Sequence, residues 1–246
     1  MLEKKRKKRR KIIGISIVII LAACIIGFFV YVGDYYRSSE SISDTETKFS
    51  ELTYSQEDNI LTISPKTHSS KVRRGVIFYP GAKVEYTSYA TLMSLLAKEG
   101  VTCFIVKMPF NFAIFEVDAA SDIIEKNQNI EEWYMAGHSL GGAMAASYAY
   151  DHVSGIEGLI LLAAYGTDDF SGKDLDIISI YGSNDYVIDK DKIMSEFDVN
   201  VIQSGNHAGF GTYGPQDGDG QLGISPEKQR ELTVGFIREF IIKDDK

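Results

Sequence analysis

Glu132-Trp133-Tyr134-Met135-Ala136-Gly137-His138-Ser139-Leu140-Gly141-Gly142-Ala143-Met144-Ala145-Ala146 packs three structural instructions into one short stretch. Glu132 to Ala136 reads as a strand, because a short apolar and aromatic run suits a buried sheet position. Leu140 to Tyr150 reads as a helix. Between them Gly137-His138-Ser139-Leu140-Gly141 fits G-x-S-x-G, in the strand-to-helix context that the motif requires. A serine on so sharp a turn is held in strained backbone, and side chains at the flanking glycine positions would collide there. Gly142, Ala143, Ala145 and Ala146 let the helix press closely on a sheet. The helix N-terminus aims free N–H groups and partial positive charge at the serine, which suits a developing oxyanion. The plainer reading is a strand–turn–helix with chance glycines, and the context on both sides favours the chemical one.

The pattern repeats outward in both directions. Glu51–Tyr54 and Asn59–Ile63 read as an opening hairpin, and Gly75–Tyr79 as a buried strand. Tyr86–Glu99 has helical spacing and stops at Gly100. Val101–Val106 is a strand and Asp118–Asn127 a helix. Downstream come strands at Leu159–Ala163, Ile177–Tyr181 and Val199–Ile202, a helix near Lys190–Phe197, and a closing amphipathic helix at Pro226–Ile242. Such alternation implies an α/β fold with a mostly parallel sheet and helices on both faces. Parallel crossovers are right-handed, and reactive groups collect at the carboxyl ends of the strands.

Four segments together, Gly75-Val76-Ile77-Phe78-Tyr79-Pro80-Gly81-Ala82, Gly137 to Gly142, Tyr181-Gly182-Ser183-Asn184-Asp185 and Gly205-Asn206-His207, resemble the α/β-hydrolase family. The likeness is to its small bacterial serine hydrolases and esterases, and runs from about Phe49 to the C-terminus. It implies the α/β-hydrolase fold and the chain order serine, acid, histidine. Ser139 is then the nucleophile, which needs a base to take its proton. The resemblance assigns that role to His207, just past the last strand. His68, His138 and His152 compete less well, His152 because it suits the C-terminal end of a helix dipole. Asp185 matches the family's acid, which orients the base and steadies its cation. Asp168 and Asp169 are the fallback, and Asp189 and Asp191 better suit a helix N-terminus. The oxyanion donors implied are the N–H of Leu140 and one from the turn after Tyr79, with Ala82 the better fit and Lys83 the alternative.

Many relatives carry a cap domain after the sixth strand. Here 164–174 leaves room only for a short loop, so no large cap is expected. Met108 to Phe115 follows a strand at its carboxyl end, and its aromatics either line an acyl pocket or pack into core. Gly214-Pro215-Gln216-Asp217-Gly218-Asp219-Gly220 resembles an Asp-rich turn but does not complete a calcium-loop spacing. No metal and no cofactor is expected.

The N-terminus follows different rules. Residues 1–11 hold eight Lys or Arg and one acid, Ile12 to Val32 holds no charge, and the rest carries a net charge of -15 within the total of -8. An acidic body repels phosphate backbones, so nucleic acid is a poor partner. The uncharged run has the length needed to cross about 30 Å of hydrocarbon as a helix. The basic flank keeps its own end cytoplasmic, placing the remainder outside the cell membrane. Leu21-Ala22-Ala23-Cys24 also resembles a lipoprotein box, but the run stays apolar after Cys24, as a lipoprotein seldom does. Cys24 and Cys103 sit in unrelated segments, so no disulfide framework is expected.

The expected organisation is a basic tail at 1–11, an anchor at 12–32, a flexible stalk at 33–48 and a hydrolase domain at 49–246. The expected reaction is cleavage of a carboxylic ester, from a small molecule or an envelope-derived acyl ester, through an acyl-enzyme. Acyl transfer or thioesterase work on envelope components is a second reading, and a binding module on a hydrolase scaffold a third.

Overall fold

A computed structural model describes residues 2–67, 72–166, 168–194 and 196–242. His68 lies outside them. Two compact units result, Met1–Tyr35 and Tyr36–Lys246. The first is dominated by helix α1 (Leu2–Gly33). Its segment Arg9–Gly33 contains an 18-residue stretch of mean hydropathy 3.0 and is long and apolar enough to cross a membrane. Ile12 through Tyr31 are exposed on it.

The second unit opens with α2 (Ile42–Lys48) and, among the described residues, holds eight strands in one sheet. In chain order these are β1 (Leu52–Glu57), β2 (Ile60–Pro65), β3 (Arg74–Tyr79), β4 (Thr102–Val106), β5 (Glu132–His138), β6 (Gly158–Leu162), β7 (Asp176–Gly182) and β8 (Asp198–Ile202). Across the sheet they run β1-β2-β4-β3-β5-β6-β7-β8. β1 pairs with β2 and β2 with β4 antiparallel, and every pairing from β4 to β8 is parallel.

Helices α3 (Ala90–Ala97), α4 (Ala119–Lys126), α5 (Leu140–Asp151) and α6 (Pro226–Ile241) cover the sheet. Strand alternation sorts the core into two layers. On one face Val76, Phe78 and Ala136 pack with Leu92 and Leu96 of α3 and Ile237 and Phe240 of α6. On the other, Ile77, Tyr79 and Met135 pack with Ile123 of α4 and Ala145 and Ala149 of α5. β3 and β6 are buried along their whole length, as strands covered on both faces must be.

Strand order reverses at β3 and β5. β4 lies to one side of β3, whereas β5 and its successors lie to the other. At such a switch the two loops leave in opposite directions and open a crevice at the carboxyl edge. Tyr79 is in register with Gly137, so the turn beginning at Pro80 lies beside the turn carrying Ser139. Arg74 and Glu132 pin the other end of the same pair, at 2.6 Å.

Three expectations change. The segment 33–48 is not a free stalk beyond Tyr36. Tyr36 N–H donates to Lys83 O at 2.7 Å, Glu85 N–H to Tyr36 O at 2.9 Å, and Ser39 N–H to Thr212 O at 2.7 Å. Its polar composition hid this, because main-chain pairing needs no apolar side chains. The helix expected near Lys190–Phe197 is a single 3-10 turn, Lys190–Lys192, where the Asp189 side chain accepts from the N–H of Asp191. Aspartates that cap locally compete with helix propagation. The helix expected over Tyr86–Glu99 is a 3-10 turn, Tyr86–Tyr89, followed by α3. Only a loop joins β6 to β7 among the described residues, so no large cap stands over the sheet edge.

Candidate active site

Ser139 sits between β5 and α5 with φ 53° and ψ -126°, a strained conformation for a residue with a side chain. The surroundings over-determine it. Its N–H donates to Leu162 O at 3.0 Å, and its carbonyl accepts from Ala143 N at 3.1 Å. A Cβ at Gly141 would overlap the carbonyl oxygens of Tyr79 and Pro80, and one at Gly137 would meet Gly141 O at 2.5 Å. The turn is therefore tight against both its own helix and the neighbouring strand end. Leu140 is the first residue of α5, so its N–H has no partner within the helix.

In the turn after β3 the candidate N–H groups differ in their partners. Gly81 N–H donates to the hydroxyl of Tyr89 at 3.2 Å. Lys83 N–H donates to Asn111 O at 2.8 Å, and Val84 N–H to Gly81 O at 3.2 Å. Ala82 N–H is left unpaired among the described residues. The geometry thus favours Ala82 over Lys83 as a donor to a ligand.

His207 and Asp185 come together from different loops. His207 Nδ1 lies 2.9 Å from Asp185 Oδ2, with both side chains almost fully buried. The other oxygen of Asp185 accepts the N–H groups of Val187 at 2.9 Å and Ile188 at 3.0 Å. A carboxylate held by three donors cannot swing, so it fixes the imidazole tautomer with the proton on Nδ1. Nε2 of His207 is buried and makes no hydrogen bond among the described residues. It is left as a free acceptor, and the last link to Ser139 is open in this structure. Such links are often loose before substrate binds.

The loop that carries His207 is itself clamped. Asp219 accepts the N–H of His207 at 3.1 Å and of Ala208 at 2.9 Å. Gln229 of α6 accepts from Asn206 N at 3.0 Å and donates to Asn206 O at 2.8 Å. By sequence, 214–220 reads as an Asp-rich turn, without a complete calcium-loop spacing, that frames the rim of the site. Its real signal was an aspartate a dozen residues beyond the histidine, which no spacing rule relates to a base. A cavity of about 580 Å³ borders this loop at Asn206, Ala208 and Asp219, and is lined elsewhere by Glu40, Glu227 and Arg230.

The other candidates fall elsewhere. Asp169 accepts from Ser171 N at 2.9 Å in the loop after β6, and Asp168 lies beside it, so neither takes the place of Asp185 at His207 Nδ1. His152 is exposed at the end of α5 and stacks on Tyr148 at 4.2 Å. His138 is fully buried, and both its ring nitrogens are bonded. Met108 and Ala113 join the core, but Phe110, Ile114 and Phe115 are 44%, 57% and 53% exposed. The aromatic segment is therefore neither a closed pocket nor simple core. It is a surface strip, tied through Asn111 O to the turn that holds Ala82.

Similarity to known proteins agrees with this architecture. The family model described as the alpha/beta hydrolase family matches residues 75–231. A predicted CIB-like hydrolase from Thermoplasma acidophilum superposes with TM-score 0.56 at 16% identity, covering 76% of this chain and 98% of that one. Est1E from Butyrivibrio proteoclasticus superposes with TM-score 0.55 at 16% identity, covering 78% of this chain and 99% of its own. No curated protein matches in sequence. The chain belongs to the alpha/beta hydrolase family.

Proposed function

We propose that the protein is a membrane-anchored serine hydrolase that cleaves carboxylic esters, with Ser139 as nucleophile, His207 as base and Asp185 as its orienting acid. The observation that carries this reading is the buried 2.9 Å bond between His207 Nδ1 and Asp185, which leaves Nε2 free at the sheet edge that also bears Ser139.

The chemistry follows from those atoms. The Ser139 hydroxyl attacks the ester carbonyl while its proton passes to His207 Nε2. The oxyanion that forms accepts from the N–H groups of Leu140 and Ala82. The C–O bond to the alcohol then breaks, and the alkoxide leaves with the proton from His207. Water gives a proton to His207, attacks the acyl-enzyme and releases the acid, restoring Ser139. The exposed Phe110, Ile114 and Phe115 beside the oxyanion turn suit an apolar acyl group, at a site with no large cap.

The anchor reading rests on the length and apolarity of α1, with the basic tail cytoplasmic and the domain outside. A mature N-terminus at an acylated Cys24, seen by mass spectrometry, would overturn it. The enzymatic reading is tested with full-length protein in detergent on p-nitrophenyl esters of increasing chain length. Ser139→Ala is expected to abolish turnover and fluorophosphonate labelling, and undiminished hydrolysis by this variant would refute the assignment.

A further inference from the structure

One buried histidine has no part in the reaction as just described. His138 is the residue before the nucleophile, is fully buried, and lies on the α3 and α6 side of the sheet. Its Nδ1 is 2.8 Å from the hydroxyl of Tyr89, and its Nε2 is 3.1 Å from the carbonyl oxygen of His207. The directions of these bonds are fixed by chemistry. A carbonyl only accepts, so His138 Nε2 carries a proton. Tyr89 Oη already accepts from Gly81 N–H, so its own proton is free to go to His138 Nδ1. Every group is satisfied only if His138 is neutral. Burial, together with the neighbouring His207, pushes its pKa well below the ordinary imidazole value, in agreement.

The result is a directed chain: Gly81 N–H to Tyr89 Oη, Tyr89 O–H to His138 Nδ1, and His138 Nε2–H to His207 O. Its two ends are functional. Gly81 precedes Ala82, and the far carbonyl belongs to the base. A Cβ at Gly81 would sit 2.8 Å from His138 Nδ1 and 3.0 Å from Tyr89 Oη, so this glycine makes room for the chain. The rings of His138 and His207 are 4.5 Å apart, and Phe210 closes the same packet at 5.6 Å from His138. A cation at His138 would oppose the imidazolium forming at His207, and a neutral ring does not.

We propose that Tyr89 and His138 are positioning residues, which together lock the oxyanion turn to the base loop through one buried hydrogen-bond relay. Neither touches substrate. The proposal rests on the Ser139 reading above, and concerns how the two halves of that site are kept in register.

The test uses full-length Tyr89→Phe, His138→Phe, His138→Gln and the Tyr89→Phe/His138→Phe double variant, with Ser139→Ala as reference. Misplacing reacting groups by about 1 Å costs on the order of 10²-fold. We therefore expect His138→Phe to lower kcat about 10- to 100-fold, with KM changed less than about threefold, and fluorophosphonate labelling of Ser139 to slow in parallel. The amide of His138→Gln can still donate to His207 O and should restore most of kcat, which a purely packing role would not predict. Because one chain is broken twice, the double variant should fall within about twofold of His138→Phe alone. Wild-type kcat in Tyr89→Phe and His138→Phe, or effects that multiply, would overturn the relay while an inactive Ser139→Ala left the nucleophile standing. An active Ser139→Ala would instead remove the reading on which the relay depends.

Discussion

Two buried imidazoles lie ring to ring at the carboxyl edge of the sheet, and their loops use them in opposite ways. In the loop after β8, His207 spends one nitrogen on Asp185 and keeps the other free. In the turn after β5, His138 has both nitrogens committed, one to Tyr89 and one to the carbonyl of His207. Burial is the same for both, and what differs is the number of unspent lone pairs. A satisfied histidine is a structural part, and an unsatisfied one beside a fixed carboxylate is available for proton transfer.

This contrast can be broken at several points. The largest effect is expected at His207→Ala, which should lower kcat by about 10³- to 10⁶-fold, against a far smaller loss for His138→Gln. Steady-state kinetics on one ester decides, and comparable losses in the two variants would erase the distinction. Next, Asp185→Asn keeps the shape but offers the wrong partner to Nδ1, and should cost about 10²- to 10⁴-fold in kcat with modest change in KM.

Asp219→Ala leaves the N–H groups of His207 and Ala208 without their acceptor. A loss of kcat of about tenfold, and of about 1–3 kcal/mol in unfolding free energy, is expected, read by kinetics and by denaturant titration. A calcium-dependent effect in the wild type would point to a different role for this turn. Truncation sharpens the contrast from the opposite side. Removal of residues 1–35 should leave kcat unchanged within about twofold. Removal of residues 1–40 takes away the pairing of Tyr36 with Lys83 and Glu85, and should lower kcat severalfold more.

The smallest effect is on stability and depends on pH. His138 is held neutral in the fold, its pKa pushed down by burial and by His207. The unfolded chain takes up a proton there below about pH 6.5, and the folded chain resists it. Stability therefore falls as pH drops through that value, and the loss ends at the lower folded pKa. Unfolding midpoints between pH 8 and pH 5 should decline more steeply in the wild type than in His138→Gln, and equal slopes would reject the account.

Local rules reach some of these features and stop short of others. The elbow at Ser139 was readable because steric demand writes glycines at fixed offsets around a strained serine. The α/β alternation was readable because periodicity is a property of neighbours in the chain. Asp185 and His207 were legible only through family resemblance, since 22 residues separate them and no local pattern joins them. The segment 36–48 reads as a stalk because its main-chain ties at Tyr36 and Ser39 leave no mark on side-chain polarity.

The sequence by itself determined the order of the strands, the apolar N-terminal helix, and the strained serine between strand and helix. Each is dictated by residues close together in the chain. Tertiary structure alone decided which N–H of the turn after β3 stays unpaired, which aspartate meets His207, and which of two buried histidines keeps a free nitrogen. Those outcomes depend on hydrogen bonds between segments tens of residues apart. Whether a buried polar atom is satisfied is a property of everything packed around it, and only the folded chain assembles those surroundings.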